Sequence, residues 1–268
     1  MSTESLPSST QVWVVQNHVT GEVDLSDSPD GTFALKRESI PTSIPEDSLL
    51  VRALYFSNDP GQRAWLQAAM EEDTKRRPEM RAMPVGSPMQ AYAAIARIVA
   101  VGDEQGEGSV TEFSVGELVT TRMDWAEYAV VKKGGANKFE YVFTSYKMCI
   151  DLELTYFLQS TRSIPGISPS VFLGALGISG QTAYWCLVET LRVEPSDTLV
   201  VSAAAGATGN VAVQYAKKVL GAQRVIAIAG SEEKCRWLES IGADSAVNYK
   251  SPNFAKDLKE AAPNGVDK

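Results

Sequence analysis

The sequence predicts an α/β protein in which a β-rich N-terminal domain precedes part of a doubly wound parallel domain. Strand-type segments separated by glycine-containing turns recur between Gln11 and Lys138. Beyond residue 162, continuously apolar runs alternate with segments of helical period, as in parallel sheets covered by helices. A chain of 268 residues with 44% hydrophobic content is long enough for two such domains.

Two further segments complete the predicted organisation. We expect a disordered tail at 1–10, the β-rich domain at 11–138, an insertion at 139–161 and the parallel α/β domain at 162–268. The strands predicted in the β-rich domain are Gln11–Gln16, Ser48–Phe56, Tyr92–Gly102 and Glu117–Arg122. The single histidine, His18, is expected in a turn of the first hairpin.

The segment 139–161 is rich in aromatic and β-branched residues, a composition that is unusual for a surface loop. Two interpretations stay open. The segment is either a translated intron in the gene model or a real insertion that packs over a cleft. The sequence of the transcript distinguishes them.

A strand, a turn of small residues and a helix follow one another directly in the second domain. The apolar run Thr198–Ala204 predicts a buried strand, and a segment of helical period begins at once after Gly209. Glycines in such a turn permit a tight bend and close approach of the backbone to a ligand. The helix N-terminus adds free N–H groups and the positive end of its dipole. This order therefore predicts a phosphate-binding turn.

The next elements repeat the pattern. Arg224–Ala229 predicts a second buried strand, Ser231 is a suitable N-cap for the following helix, and Gly242 suits its C-terminal end. Ala246–Tyr249 predicts a third strand and 253–262 a further helix. The resulting βαβαβ unit is the adenosine-binding half of a doubly wound sheet.

The end of the second strand bears on the choice of cofactor. A site for NAD would place an Asp or Glu there to hold the ribose 2′-hydroxyl. This chain has Gly230 and Ser231, with Lys234 one turn into the helix. Singly, Ser231 is more often only a cap and Lys234 only a solvated charge. Behind a phosphate-binding turn, a hydroxyl and an ammonium favour a 2′-phosphate, so NADP(H) is the predicted cofactor.

Several blocks resemble the medium-chain dehydrogenase/reductase superfamily. Within it, the chain is most similar to the zinc-independent, NADPH-dependent alkenal/enone double-bond reductases of the leukotriene B4 dehydrogenase and prostaglandin reductase type. The blocks that carry the resemblance are Leu54–Arg63, Val85–Tyr92, Phe113–Val119, Trp125–Val130, Leu173–Tyr184 and Ala203–Gly209. The resemblance implies a GroES-like, partly open barrel followed by a Rossmann domain.

The resemblance also implies roles for individual residues. Thr182 is expected near the nicotinamide, Lys234 and Tyr249 at the 2′-phosphate, and the turn ending at Gly209 at the pyrophosphate. The predicted cofactor-binding residues are Thr182, Ala205, Gly206, Ala207, Thr208, Gly209, Gly230, Ser231, Lys234 and Tyr249.

The N-terminal domain offers two candidate substrate contacts, Asn58 and Met89. Asn58 either donates to a substrate carbonyl or caps the turn. For Asp59 and Arg63 we expect a structural ion pair at helical spacing rather than a role at the cleft floor. The enone reductases commonly carry a tyrosine after the Asp-Pro pair, where this chain has Gly61, so its pocket is expected to differ in shape.

Composition excludes several classes of partner and site. The net charge of −8 and pI of about 4.9 argue against nucleic acid. The sequence has neither a membrane-length apolar run nor a signal peptide, so a cytoplasmic location is expected. Three widely spaced cysteines (Cys149, Cys186 and Cys235) and one histidine lack metal-ligand spacing, so no metal site and three reduced thiols are predicted.

The implied activity is hydride transfer from NADPH to the C=C bond of an α,β-unsaturated ketone or aldehyde, a small-molecule substrate. Quinone reduction on the same fold is one alternative. The other is an inactive cofactor-binding remnant, because three strands precede Val266–Lys268, where a fourth would begin. The catalytic residue is expected beyond that point, and a homodimer is expected only with a completed sheet.

Overall fold

The computed structural model describes residues 7–67, 82–102, 113–138 and 166–268. The chain divides into two compact units, Met1–Ser170 and Val171–Lys268. The predicted insertion at 139–161 and the first six residues of the predicted tail lie outside the described residues. The first strand begins at Ser9, inside the segment predicted to be a tail.

The N-terminal unit contains two antiparallel sheets. Its strands are β1 (Ser9–Val15), β2 (Phe33–Ser39), β3 (Ser48–Phe56), β4 (Gln90–Val101), β5 (Leu118–Asp124), β6 (Tyr128–Lys132) and β7 (Ala136–Lys138). A short helix, α1 (Gln62–Trp65), follows β3, and a 3₁₀ turn (Lys133–Gly135) precedes β7. β1 pairs with β2, and the other strands form a sheet in the order β6-β3-β4-β5-β7.

The five-stranded sheet curls around its own core. Register shifts interrupt the β3–β4 pairing at Leu50/Val51 and Ala53/Tyr55, and the β4–β5 pairing at Ala91/Ala94. Such irregularities bend and twist a strand. The core residues alternate along the strands: Leu49, Val51, Ala94, Ala96, Ile98, Val119 and Val131 are all buried. This architecture confirms the β-rich fold that the sequence predicted.

The C-terminal unit is built on a parallel sheet. Its elements are a 3₁₀ turn (Pro169–Leu173) that crosses the boundary, α2 (Ile178–Tyr184), a π-helix (Trp185–Thr190), β8 (Thr198–Val201), α3 (Ala207–Lys218), β9 (Arg224–Ala229), α4 (Glu232–Ile241), β10 (Ser245–Asn248) and α5 (Phe254–Ala261). The strands lie in the order β10-β9-β8 and are all parallel.

Successive residues of β9 face opposite sides of this sheet. Val225 and Ala227 pack with Val213 of α3 and Leu238 of α4, whereas Ile226 packs in a separate cluster with Val247 and Ala261. Apolar residues on both faces explain why the strand sequence is continuously hydrophobic. The doubly wound arrangement predicted from the sequence is confirmed.

The last residues of the chain lie beside β8. The backbone N–H of Asp267 donates to the Thr198 carbonyl (2.9 Å), and the N–H of Val200 donates to the Lys268 carbonyl (3.0 Å). The Asp267 carboxylate accepts from the Thr198 N–H (2.8 Å). These bonds occupy the edge of β8 opposite β9, the position where a fourth strand was predicted to begin.

Candidate cofactor site

The turn between β8 and α3 is shaped by close packing of the helix on the strand. Ala203 adopts a φ of +48°, and the Gly206 N–H donates to its carbonyl (2.9 Å). A Cβ atom at Gly209 would lie 2.5 Å from the Ala203 oxygen and 2.7 Å from Cα of Ala204. Only glycine therefore permits the first turn of α3 to approach the end of β8 this closely.

The N-terminus of α3 suits an anion. Its N-cap, Gly206, has no side chain to occupy the free N–H groups, and the first turn contains no acidic residue. The Asn210 amide reaches back but donates to the carbonyls of Gly206 (2.8 Å) and Ala207 (3.0 Å), so it leaves the N–H groups open. Gly206 and Ala207 are exposed, and Thr208 is half-buried. The turn fits the pyrophosphate that the sequence predicts there.

A second group of predicted residues meets at the end of β9. The Tyr249 N–H donates to the Ala229 carbonyl (3.0 Å), and its ring covers Gly230. A Cβ atom at Gly230 would lie 2.9 Å from the Tyr249 hydroxyl oxygen. Ser231 is the N-cap of α4, and its hydroxyl accepts from the Lys234 N–H (3.3 Å). The fold thus brings Gly230, Ser231, Lys234 and Tyr249 to one strand end.

Two residues that sequence reasoning missed adjoin this group. The Asn248 side chain donates to the Glu232 carboxylate (2.8 Å) and accepts from the Lys250 N–H (3.0 Å). The Lys250 ammonium lies 6.0 Å from the centroid of the Tyr249 ring. The sequence shows that Lys250 follows Tyr249. It does not show that the parallel pairing of β10 with β9 places this pair at the end of β9.

Thr182 lies on α2, which packs on α3, the helix after the predicted phosphate-binding turn. Tyr184 of α2 and Tyr215 of α3 meet edge to face with centroids 5.9 Å apart. The Thr182 side chain is exposed, and its hydroxyl donates to the Ile178 carbonyl (2.7 Å). Its predicted contact with the nicotinamide remains a prediction.

The glycines that precede Thr182 have a packing role. A Cβ atom at Gly180 would lie 1.7 Å from the Ala175 oxygen, and one at Gly177 would lie 2.4 Å from the Phe172 oxygen. The start of α2 therefore packs against the backbone of the turn before it. This explains the glycine spacing in the block Leu173–Tyr184, the most distinctive block of the resemblance.

In the N-terminal unit, the two candidate substrate contacts differ in exposure. Asn58 is exposed in the loop after β3. Met89 is fully buried against Val15 and Trp65, and its backbone bonds to Trp13 and Trp125. Both assignments remain predictions, although burial of Met89 gives its side chain a packing role.

The predicted ion pair between Asp59 and Arg63 is wrong. The Arg63 guanidinium donates to the Gly21 carbonyl instead. The Asp59 backbone N–H donates to the Gln62 side chain (2.6 Å), whose amide donates to the Gln90 carbonyl (2.8 Å). The Gln62 side chain is only 3% exposed. Its two hydrogen bonds attach the loop that contains Asn58 to the start of β4.

Gly61 has a structural consequence that the sequence alone did not reveal. A Cβ atom there would lie 3.0 Å from the Tyr92 hydroxyl oxygen. The ring centroids of Tyr92 and Trp65 lie 4.2 Å apart. On the Trp65 ring, the Arg122 guanidinium carbon lies 5.1 Å from the ring centroid. A tyrosine from β4 therefore occupies the space next to Gly61.

Metal-ligating side chains are not grouped in the described part of the chain. Among residues 7–67, 82–102, 113–138 and 166–268, no three His, Cys, Asp or Glu side chains are placed to hold a metal ion. Cys186 is an exposed free thiol and Cys235 a buried one. Burial, and then the carboxylates of Glu232 and Glu239, raise the pKa of the Cys235 thiol.

Within the described residues, no helix has the length and apolar character needed to span a bilayer.

Two family models match separate parts of the chain. The model described as the N-terminal domain of oxidoreductase matches residues 11–139, and the one described as zinc-binding dehydrogenase matches residues 207–268. The chain belongs to the medium-chain dehydrogenase/reductase superfamily.

Individual relatives point to one branch of the superfamily. The chain is 30% identical to prostaglandin reductase 1 of Bos taurus over 256 residues, and 30% identical to the NADP(+)-dependent 2-alkenal reductase of Nicotiana tabacum over 258 residues. Each match covers 95% of this chain and 63% of the relative. This medium-chain dehydrogenase/reductase thus spans less than two thirds of the length of these relatives.

Solved structures agree with this assignment. The crystal structure of CurA from Vibrio vulnificus in complex with NADPH superposes with a TM-score of 0.68 at 27% sequence identity. The match covers 96% of this chain and 63% of CurA. The chain therefore shares its fold with CurA.

Proposed function

We propose that the protein is an NADP(H)-dependent oxidoreductase that reduces the C=C bond of α,β-unsaturated aldehydes or ketones. The observation that carries the cofactor assignment is the pair of strand ends in the C-terminal unit. The end of β8 presents a glycine turn and free N–H groups, and the end of β9 presents Ser231, Lys234 and Tyr249 with no carboxylate at the position of Gly230. The CurA complex and the 2-alkenal reductase support the same cofactor.

Each strand end has a separate part in binding. The N–H groups at Ala207 and Thr208 would neutralise and orient the pyrophosphate, because they point from the positive end of α3. The Ser231 hydroxyl and the Lys234 ammonium would hold the 2′-phosphate, and the exposed Tyr249 ring would cover it. Since the ribose end would have no carboxylate acceptor at Gly230, we expect NAD(H) to bind more weakly.

The relatives supply the reaction class. Bound NADPH supplies a hydride to the electron-poor carbon of a conjugated acceptor, and a conjugated acceptor needs no metal to become electrophilic. The similarity to a 2-alkenal reductase and to prostaglandin reductase supports an unsaturated carbonyl as substrate. In the N-terminal unit, the exposed Asn58 is the proposed donor to that carbonyl, held by the Gln62 contacts. No residue described in either unit is assigned as the proton donor.

The test is steady-state oxidation of NADPH by the purified chain with four acceptors: a 2-alkenal, an enone, the matching saturated aldehyde and a quinone. We expect turnover with the first two, and mass spectrometry should find the saturated carbonyl as product. NADH at the same concentration is the cofactor control. Turnover with the quinone alone would replace this proposal by quinone reduction. NADPH binding without turnover of any acceptor would favour the cofactor-binding remnant.

A further inference from the structure

Lys250 lies at the proposed 2′-phosphate site although the sequence gives it no role there. Its ammonium is 6.0 Å from the centroid of the Tyr249 ring, within the range of a cation–π contact. The hydroxyl-bearing edge of the same ring covers Gly230, at the end of β9. The exposed Tyr249 ring therefore lies near the Lys250 ammonium and also contacts the end of β9, where Ser231 caps α4.

The neighbouring carboxylate, Glu232, accepts a hydrogen bond from the Asn248 amide (2.8 Å). Glu232 is the first residue of α4. The other atom of that amide, the Asn248 oxygen, accepts from the Lys250 backbone N–H (3.0 Å). Asn248 therefore holds Glu232 and fixes the backbone from which the Lys250 side chain extends.

Lys250 also forms no ion pair within the described residues 166–268. The ion pairs there join Lys217 to Asp244 and Lys256 to Glu260. A cation that lies beside an aromatic ring and is not paired with a carboxylate remains available to a phosphate.

We propose that Lys250 provides a second positive charge for the 2′-phosphate of the cofactor and so contributes to the preference for NADP(H) over NAD(H). This inference rests on the proposed function, because it extends the same site. The Tyr249 ring keeps the ammonium near the phosphate position, and Lys234 provides the first charge from α4. The contribution is electrostatic, so it depends on ionic strength.

The test compares two ligands that differ only in the 2′-phosphate. Calorimetric titration of the full chain with 2′,5′-ADP and with 5′-AMP separates recognition of that group from binding of the adenosine and from catalysis. Lys250→Gln is expected to weaken 2′,5′-ADP about two- to fivefold, the range for an exposed ion pair, and to leave 5′-AMP unchanged. The loss should shrink at an ionic strength of about 1 M, where charges are screened within about 3 Å.

Three variants make the outcome decisive. Lys250→Arg keeps the charge and should bind 2′,5′-ADP like the wild type. Lys256→Gln removes an equal charge from α5, where that side chain pairs with Glu260, and should change neither ligand. Lys234→Gln should weaken 2′,5′-ADP at least as much as Lys250→Gln.

Unchanged 2′,5′-ADP affinity in Lys250→Gln, together with a loss in Lys234→Gln, would overturn the inference and leave the proposed function intact. Equal loss of both ligands in Lys250→Gln would also overturn it, because Lys250 would then support the fold and not the phosphate. If the wild type binds 2′,5′-ADP no better than 5′-AMP, the proposed NADP(H) specificity itself fails.

Discussion

The two ends of the parallel sheet use their polar groups in opposite ways. At the amino end, the Asp244 carboxylate accepts from the Val225 N–H (2.7 Å) and from the Lys217 ammonium (2.8 Å). The Arg224 guanidinium donates to the Ala261 carbonyl (2.6 Å), and Lys217 also donates to Gln223 (3.1 Å). Polar groups at this end are therefore satisfied by one another.

At the carboxyl end, the same strands leave polar groups for a ligand. Gly206 caps α3 without a side chain, and the exposed Lys234 has no ion pair among the described residues 166–268. Tyr249 remains 55% exposed although its ring covers Gly230. The contrast indicates that substitutions at the amino end should affect stability, whereas exposed substitutions at the carboxyl end should affect binding.

The largest effect is expected where the carboxyl end is packed most tightly. Gly209→Val would place side-chain atoms within 2.5 Å of the Ala203 oxygen and 2.7 Å of the Ala204 Cα, both backbone atoms that cannot rotate away. We expect a loss of about 3 kcal/mol or more in the free energy of unfolding, and loss of NADPH binding. Urea unfolding and fluorescence titration measure the two effects.

The matched control for this prediction is Gly206→Ala in the same turn. Gly206 has a φ of −75°, and its Cβ atom would meet only the Ala203 oxygen, at 3.2 Å. We expect a stability loss under about 1 kcal/mol, with weaker NADPH binding because the pyrophosphate approaches the backbone there. Equal destabilisation by both variants would show that packing at Gly209 is not what requires glycine.

The next effect tests the amino end. Asp244→Ala leaves the Val225 N–H without its acceptor and removes the ion partner of Lys217, so we expect a loss of about 2 kcal/mol in unfolding free energy. NADPH affinity should not change, because the proposed cofactor site lies at the other end of the strands. Asp244→Asn keeps an acceptor for Val225 and should lose less. A change in NADPH affinity at unchanged stability would contradict the division between the two ends.

The sequence predicted the parts of this comparison that depend on local patterns. β9 has the predicted bounds, Arg224–Ala229, and Ser231 and Gly242 are the predicted caps of α4. β8 ends at Val201, three residues before the predicted end. The φ of +48° at Ala203 turns the chain, and the Ala204 N–H donates to the Ile228 carbonyl.

Contacts between distant segments could not be read from the sequence. The expected Asp59–Arg63 pair fails because Gly21, 42 positions from Arg63, accepts from its guanidinium. Tyr92 covers Gly61, and Tyr249 covers Gly230, only because strand pairing brings these distant segments together. Helical spacing and composition carry no information on such pairings.

The smallest effect concerns the thiol of Cys235, a buried residue of α4. Cys235 packs in the core between α4 and the sheet, and burial raises the pKa of its thiol above the ordinary value of 9.0. The folded protein therefore retains a proton that the unfolded chain loses, and the free energy of unfolding should fall as the pH rises past about 9. Cys235→Ala should flatten this alkaline decline, because the variant has no thiol to titrate. Thermal unfolding at several pH values measures the slope, which separates titration from the constant cost of the smaller side chain.

NADPH affinity should follow the same pH dependence in both proteins, because the neutral thiol adds no charge to the proposed phosphate site. A steeper alkaline decline in the variant would show that Cys235 does not cause it.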